Sequence, residues 1–167
     1  MKQLPVNKQS VIAKLDEIQR CMGKLTQFTT MPLNEFRTGE NFAIAEHSLR
    51  RSLEAVFEIG AYILSRLPGG KPSGYKDIAR KLGENKVVSP EFATDKLIKM
   101  AGYRNRLIHF YHEITVDEMH YIIQNNLKDF DGYSNYIKDV LAHSEKYGFK
   151  EKNKSGGRST TLTHATS

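Results

Sequence analysis

Apolar residues in this chain recur at steps of three and four, and alternation at steps of two is almost absent; Val87-Val88 is the only β-branched pair outside helical spacing. That period belongs to helices that bury one face. Val11, Ile12, Leu15, Ile18, Met22 and Leu25 predict a first helix over about 8–28, which Thr29-Thr30-Met31-Pro32 breaks. A long second helix begins near 34 or 41 and runs to 67 on the stripe Phe42, Ala45, Leu49, Leu53, Val56, Gly60, Ile63 and Leu67. Its mixed steps suit a seam between packed helices. Pro68-Gly69-Gly70-Lys71-Pro72 ends it. A short helix over 75–82 turns Ile78, Ala79 and Leu82 inward, and Gly83 is expected to stop it.

Two capping signals mark the starts of the remaining helices. Ser89-Pro90-Glu91 combines an N-cap, a proline suited to the first helical position and a carboxylate for the positive end of the helix dipole. The apolar face of this fourth helix is Phe92, Leu97, Met100, Ala101, Leu107 and Ile108. Thr115-Val116-Asp117-Glu118 is a capping box, so the fourth helix must end before Ile114 and a fifth begins at Val116. The fifth carries Met119, Ile123, Leu127, Phe130, Ile137, Val140 and Leu141 to about 147, with Gly132 as a kink or weak point. The expected fold is an all-α, up-and-down helical bundle of four main helices plus a short extra helix, over residues 1–147. Residues 148–167 are rich in Lys, Ser, Thr and Gly and predict a basic, disordered tail.

Composition narrows the function classes. The 167 residues carry a formal net charge of +6 and suit one domain. A moderate positive charge attracts phosphate backbones and also serves solubility. The single cysteine, Cys21, excludes an internal disulfide framework and a four-cysteine zinc site. No apolar segment follows the N-terminal charge, and the apolar run at 56–64 is interrupted by Glu58 and too short for a bilayer. A cytoplasmic protein without a membrane partner is expected.

The candidate chemistry is concentrated in Arg104-Asn105-Arg106-Leu107-Ile108-His109-Phe110-Tyr111. It joins an always-charged anion binder, a proton carrier near neutral pH and a phenol. On a straight helix Arg104 and Tyr111 share a face about 10 Å apart, whereas Arg104 and His109 stand about 140° apart. One rigid helix does not bring all three to one phosphate. Unwinding near His109 would repair this, and so would a cleft shared by two chains. Histidine can take a proton from a ribose 2′-OH or give one to a leaving 5′-oxygen, and arginine can hold the phosphate. Because the 2′-OH is the nucleophile, no metal or other cofactor is needed. Asn105 can order the backbone or contact substrate.

Spacing alone favours solvated or ion-paired residues over catalysis, since such patterns often arise by chance. His109, His112, Glu113, Asp117 and His120 straddle a helix break with no cysteine beside them, so a metal site is not expected. Glu54 and Glu58 lie one turn apart, with Arg50 and Arg51 in reach of Glu54, and read as surface ion pairs. The sharper alternative has Glu58 face the cleft and orient His109. Tyr133, Tyr136 and Tyr147 are expected to cap the core.

In its setting the R-x4-H-x-Y pattern resembles the signature of HEPN domains, and specifically of HepT-type toxins. The similarity extends to SLRRSLEAVFEIGAYI at 48–63, to Tyr75-Lys76-Asp77-Ile78 with Val87-Val88-Ser89-Pro90-Glu91-Phe92-Ala93, to LIKMAGYRNRLIHFY at 97–111 and to 115–136, and it covers about 8–147. The resemblance implies an α-helical homodimer with the motif at the dimer cleft. It implies a metal-independent ribonuclease acting on an RNA substrate, with Arg104 and His109 as the catalytic pair. It also implies a cognate MntA-like minimal nucleotidyltransferase as antitoxin, which silences the toxin by adenylylating Tyr111. Arg106 and His112 lie outside the signature and take no role from it. A non-catalytic subunit that presents substrate to the nucleotidyltransferase is the competing expectation, and a plain helical scaffold is a third.

Overall fold

The structure is a computed structural model and describes residues 5–69, 71–109 and 114–149. Among these the regular elements are all helical. Helix α1 spans Lys8–Thr26, with the Asn7 side chain accepting from the Ser10 amide at its start. Its face Val11, Leu15, Ile18, Met22 and Leu25 is buried along α3, Asn41–Ser65, while Ile12 stays on the surface. Of the two starts expected for this long helix, the later one at Asn41 is the one observed. A one-turn helix α2, Leu33–Phe36, precedes Gly39, whose φ of +61° turns the chain before α3 begins. Phe36 is fully buried and meets Phe28 edge-on, with ring centroids 5.4 Å apart, so this turn closes the end of the bundle.

Helix α4 spans Tyr75–Glu84. Gly83 does not stop it. A Cβ there would stand 2.7 Å from the Ala93 Cβ, so this glycine lets α4 touch the start of the next helix. That helix begins as α5, Pro90–Phe92, capped by the Ser89 hydroxyl accepting from the Phe92 amide at 3.1 Å. It widens into a π-helical turn at Ala93–Leu97 and continues as α6, Ile98–Ile108. Leu97, Met100 and Ala101 are buried, but Ile108 is exposed, because the helix ends there beyond the core.

The expected fifth helix is divided. Thr115 caps α7, Val116–Asn125, by accepting from the Glu118 amide at 3.2 Å. The break falls at Asn126, not at Gly132, and α8 resumes as Leu127–Ala142 before a 3-10 turn at Ser144–Tyr147. Gly132 lies inside α8 beneath the Phe92 ring, where a Cβ would come within 3.2 Å. Tyr133 is buried and donates its hydroxyl to the Val56 carbonyl at 2.7 Å, joining α8 to α3 through the core. No helix among the described residues is long and apolar enough to cross a membrane. The proposed tail lies outside the described residues from 150 onward.

Candidate functional site

Helix α6 delivers Arg104 and His109 to different surroundings. Arg104 turns inward and is only 9% exposed. Its guanidinium carbon stands 4.7 Å over the ring of Tyr75, the first residue of α4. That ring meets buried Phe57 edge-on at 5.3 Å. A Glu54 oxygen from α3 lies 3.9 Å from the Arg104 Nη2, while Nε and Nη1 have no hydrogen-bond partner among the described residues. The charge of Arg104 is thus met by a ring face and one carboxylate, with two donors unspent. An unspent buried donor is unfavourable at rest and is available to an anion that reaches it.

His109 is the C-cap of α6. Its backbone turns out of the helix to φ −92°, ψ 109°, while its amide still donates to the Asn105 carbonyl at 3.2 Å. The unwinding expected near His109 is present. The exposed imidazole lines a cleft of about 290 Å³ with Phe42, Glu46 and Arg50 of α3, Arg106 and Leu107 of α6, and Ile114. Arg104 is not among the lining residues, so the five-step offset separates the two groups within one protomer. Asn105 is half-buried and fastens His109 through its backbone carbonyl. Tyr111 and His112 lie outside the described residues.

Glu58 does not line the His109 cleft. It pairs with Lys14 of α1, and Arg51 pairs with Glu17 of the same helix. The Glu58 pair is a bridge between α1 and α3, as the surface ion-pair reading expects. Arg50 reaches back to Glu46 at 2.9 Å, not forward to Glu54, which stands nearer Arg104. Glu46, Arg50, Glu54 and Glu58 recur every fourth residue and make a charged ridge on α3. Its N-terminal half borders the His109 cleft, and its C-terminal half meets Arg104 and α1.

Arg106 fastens both sides of the motif. Its Nη1 and Nη2 donate to the two Glu118 oxygens at 2.5 and 2.6 Å, spanning from α6 to the first turn of α7. This pairing holds the Arg106 guanidinium in its charged form. The Glu118 carboxylate that a capping box would fold back on Thr115 is turned to Arg106. Nearby, Arg37 bonds Asp117 at 2.6 Å, and His120 meets the Met31 carbonyl at 2.7 Å. Reading the motif by its signature passes over Arg50, Glu46 and Tyr75. The four-residue recurrence on α3 is the available signal for the first two, and nothing in the local sequence announces the third.

A family model described as Ribonuclease HepT-like matches residues 18–137. The mRNA nuclease HepT of Shewanella oneidensis is 28% identical over 131 residues, covering 77% of this chain and 96% of the relative. The tRNA nuclease HepT of Aphanizomenon flos-aquae is 28% identical over 134 residues, covering 80% and 90%. In structure, the chain is similar to a tri-AMPylated Shewanella oneidensis HEPN toxin in complex with MNT antitoxin. The TM-score is 0.69 at 27% identity, covering 77% of this chain and 96% of that one. The fold is also shared with YutE, a cytosolic Bacillus subtilis protein of unknown function, at TM-score 0.71 and 17% identity over 87% of this chain and 96% of that one.

Proposed function

Because this chain belongs to the HepT-like ribonuclease family, we propose that it is the toxin of a toxin–antitoxin pair and cleaves RNA without a metal, using Arg104 and His109. His109 takes the proton from a ribose 2′-OH, the freed oxygen attacks the adjacent phosphorus, and the 5′-oxygen departs with a proton, leaving a 2′,3′-cyclic phosphate. Arg104 stabilises the charge on the phosphoryl oxygens. The observation that carries this reading is His109 turned out of the end of α6 into a cleft lined by guanidinium groups. The mRNA and tRNA nuclease relatives support an RNA substrate.

A homodimer completes the site in this reading. The separation of Arg104 from His109 in one protomer calls for a second copy, and the exposed Ile44 and Ile108 flank cleft residues on α3 and α6. The regulator is a cognate MntA-like nucleotidyltransferase, as the MNT complex of the AMPylated HEPN toxin suggests. It transfers adenylate from ATP to the Tyr111 phenol oxygen with loss of pyrophosphate. The decisive measurement incubates purified protein with defined RNA in EDTA beside His109→Ala. Wild type cleaves and the variant does not; cleavage that EDTA abolishes, or that survives in the variant, overturns the mechanism. With the nucleotidyltransferase and ATP, mass spectrometry finds adenylate on the wild type and none on Tyr111→Phe.

The same separation of Arg104 from His109 also favours a second reading, a non-catalytic subunit that presents substrate to the nucleotidyltransferase. It gives a stable complex and no RNA cleavage at any protein concentration.

A further inference from the structure

Arg104 does not line the cavity that His109 lines. The cleft holds two guanidinium groups, Arg50 and Arg106, between the apolar surfaces of Phe42, Leu107 and Ile114. Arg106 is committed to Glu118 through both terminal nitrogens. Arg50 is held differently. Its Nη2 donates once to Glu46 at 2.9 Å and its side chain is 41% exposed, while its Nε is buried and has no hydrogen-bond partner among the described residues. A guanidinium grips a phosphate with two parallel donors, and Nε with a terminal nitrogen is one such fork. A single-contact pair one turn apart on a half-exposed helix face is a weak one.

We propose that Arg50 is the phosphate-binding residue of the His109 cleft and that Glu46 is its resting counter-ion. A phosphodiester of single-stranded RNA enters the cleft, displaces the Glu46 carboxylate into solvent and takes two donors of the Arg50 guanidinium. This deepens the ribonuclease reading and rests on it. It assigns to α3 a contact beside the scissile group. It also gives Glu46 a purpose in the cleft: a carboxylate there opposes any anion that does not engage Arg50.

The two partners then act on RNA with opposite sign. Arg50→Gln removes a phosphate contact, while Glu46→Gln removes a competitor for the same donors and a repelling charge. If the pair only steadied α3, both substitutions would break the same ion pair and shift the protein in the same direction. The test measures binding of a fluorescent single-stranded RNA of mixed sequence to protein carrying His109→Ala, so that no cleavage intervenes, across a salt series.

Arg50→Gln weakens binding about 5- to 10-fold and lowers the slope of log affinity on log salt by about 0.7, the value of one lost single-strand phosphate contact. Glu46→Gln tightens binding about 3-fold, on the scale of one removed charge at a half-exposed site. Arg50→Lys falls between, keeping the charge and losing the fork. Arg20→Gln, a charge-matched change on the exposed face of α1, leaves the slope unaltered. Thermal melting of each variant shows that it is folded. The inference falls alone if wild type cleaves RNA while Arg50→Gln keeps both affinity and slope, or if both cleft variants move affinity the same way. If wild type cleaves no RNA and the His109→Ala protein binds none, the ribonuclease reading falls and takes the inference with it.

Discussion

The Arg104 guanidinium lies over the Tyr75 ring at 4.7 Å, so the first residue of α4 holds the inward arginine of α6 by its ring face. A cation over a ring in a partly desolvated site is worth about 1 kcal/mol, or roughly 5-fold in a rate that depends on the cation's position. Tyr75→Leu should therefore lower RNA cleavage about 5-fold, while Tyr75→Phe keeps most of it. In an Arg104→Lys background the Tyr75→Leu change should add little, because the residue it orients is gone. Full additivity of the two losses would make Tyr75 a packing residue only.

The Arg106–Glu118 pair joins the end of α6 to the start of α7 across the segment that carries Tyr111. Both side chains are about one-third exposed, which limits the pair to about 1 kcal/mol of stability. Glu118→Gln should lower the unfolding free energy by that amount and speed hydrogen exchange at the first turn of α7 more than in α3. Uniform exchange across the fold would show that the pair does not fasten this junction.

Much of this arrangement is legible in the chain, and the reasons differ by residue. Ser89 and Thr115 signal helix starts because capping is local chemistry, and both hydroxyls accept the expected amides. The opposed directions of Arg104 and His109 follow from helical arithmetic. Gly83 misleads because glycine serves two ends, stopping a helix or admitting a close neighbour, and only the approach of Ala93 decides between them. The break at Asn126 carries no proline or glycine. A ridge of charges spaced by four offers Arg50 two neighbours, and tertiary placement gives Glu54 to Arg104 and leaves Arg50 with Glu46.

Gly83→Ala tests the contact that seats α4 on the neighbouring helix. The added methyl would stand 2.7 Å from the Ala93 Cβ, an atom fixed to the backbone. Overpacking of this kind costs about 1–3 kcal/mol, and alanine's higher helix propensity returns up to about 1. A net loss of about 1–2 kcal/mol in chemical denaturation is expected. An unchanged or raised midpoint would mean that the helices separate freely here.

The 3-10 turn after α8 is fastened by the Tyr147 hydroxyl on Asp139. Burial, reinforced by this carboxylate, pushes the Tyr147 phenol up to about 12 from 10.0. The hydroxyl in turn holds Asp139 below its usual 3.8. A raised phenol contributes stability that is full below about pH 10 and is lost as pH rises towards about 12; a depressed carboxylate contributes stability that is full above its ordinary value and is lost in acid. The melting-temperature difference between wild type and Tyr147→Phe should be flat through neutrality and shrink at both extremes. A difference independent of pH would remove the hydrogen bond as its source.

The π-helical turn at Ala93–Leu97 has a consequence for how this helix tolerates insertion and deletion. Such a turn takes in one residue more than an ordinary one, so everything downstream is set back by about 100° of azimuth. Arg104 meets Tyr75, and Arg106 meets Glu118, in the phase that this extra residue imposes. Removing one residue between Ala93 and Leu97 would shorten the helix only slightly, yet it would rotate the whole motif like a dial turned past its mark. The segment that sets the aim of the site is thus upstream of the motif it aims.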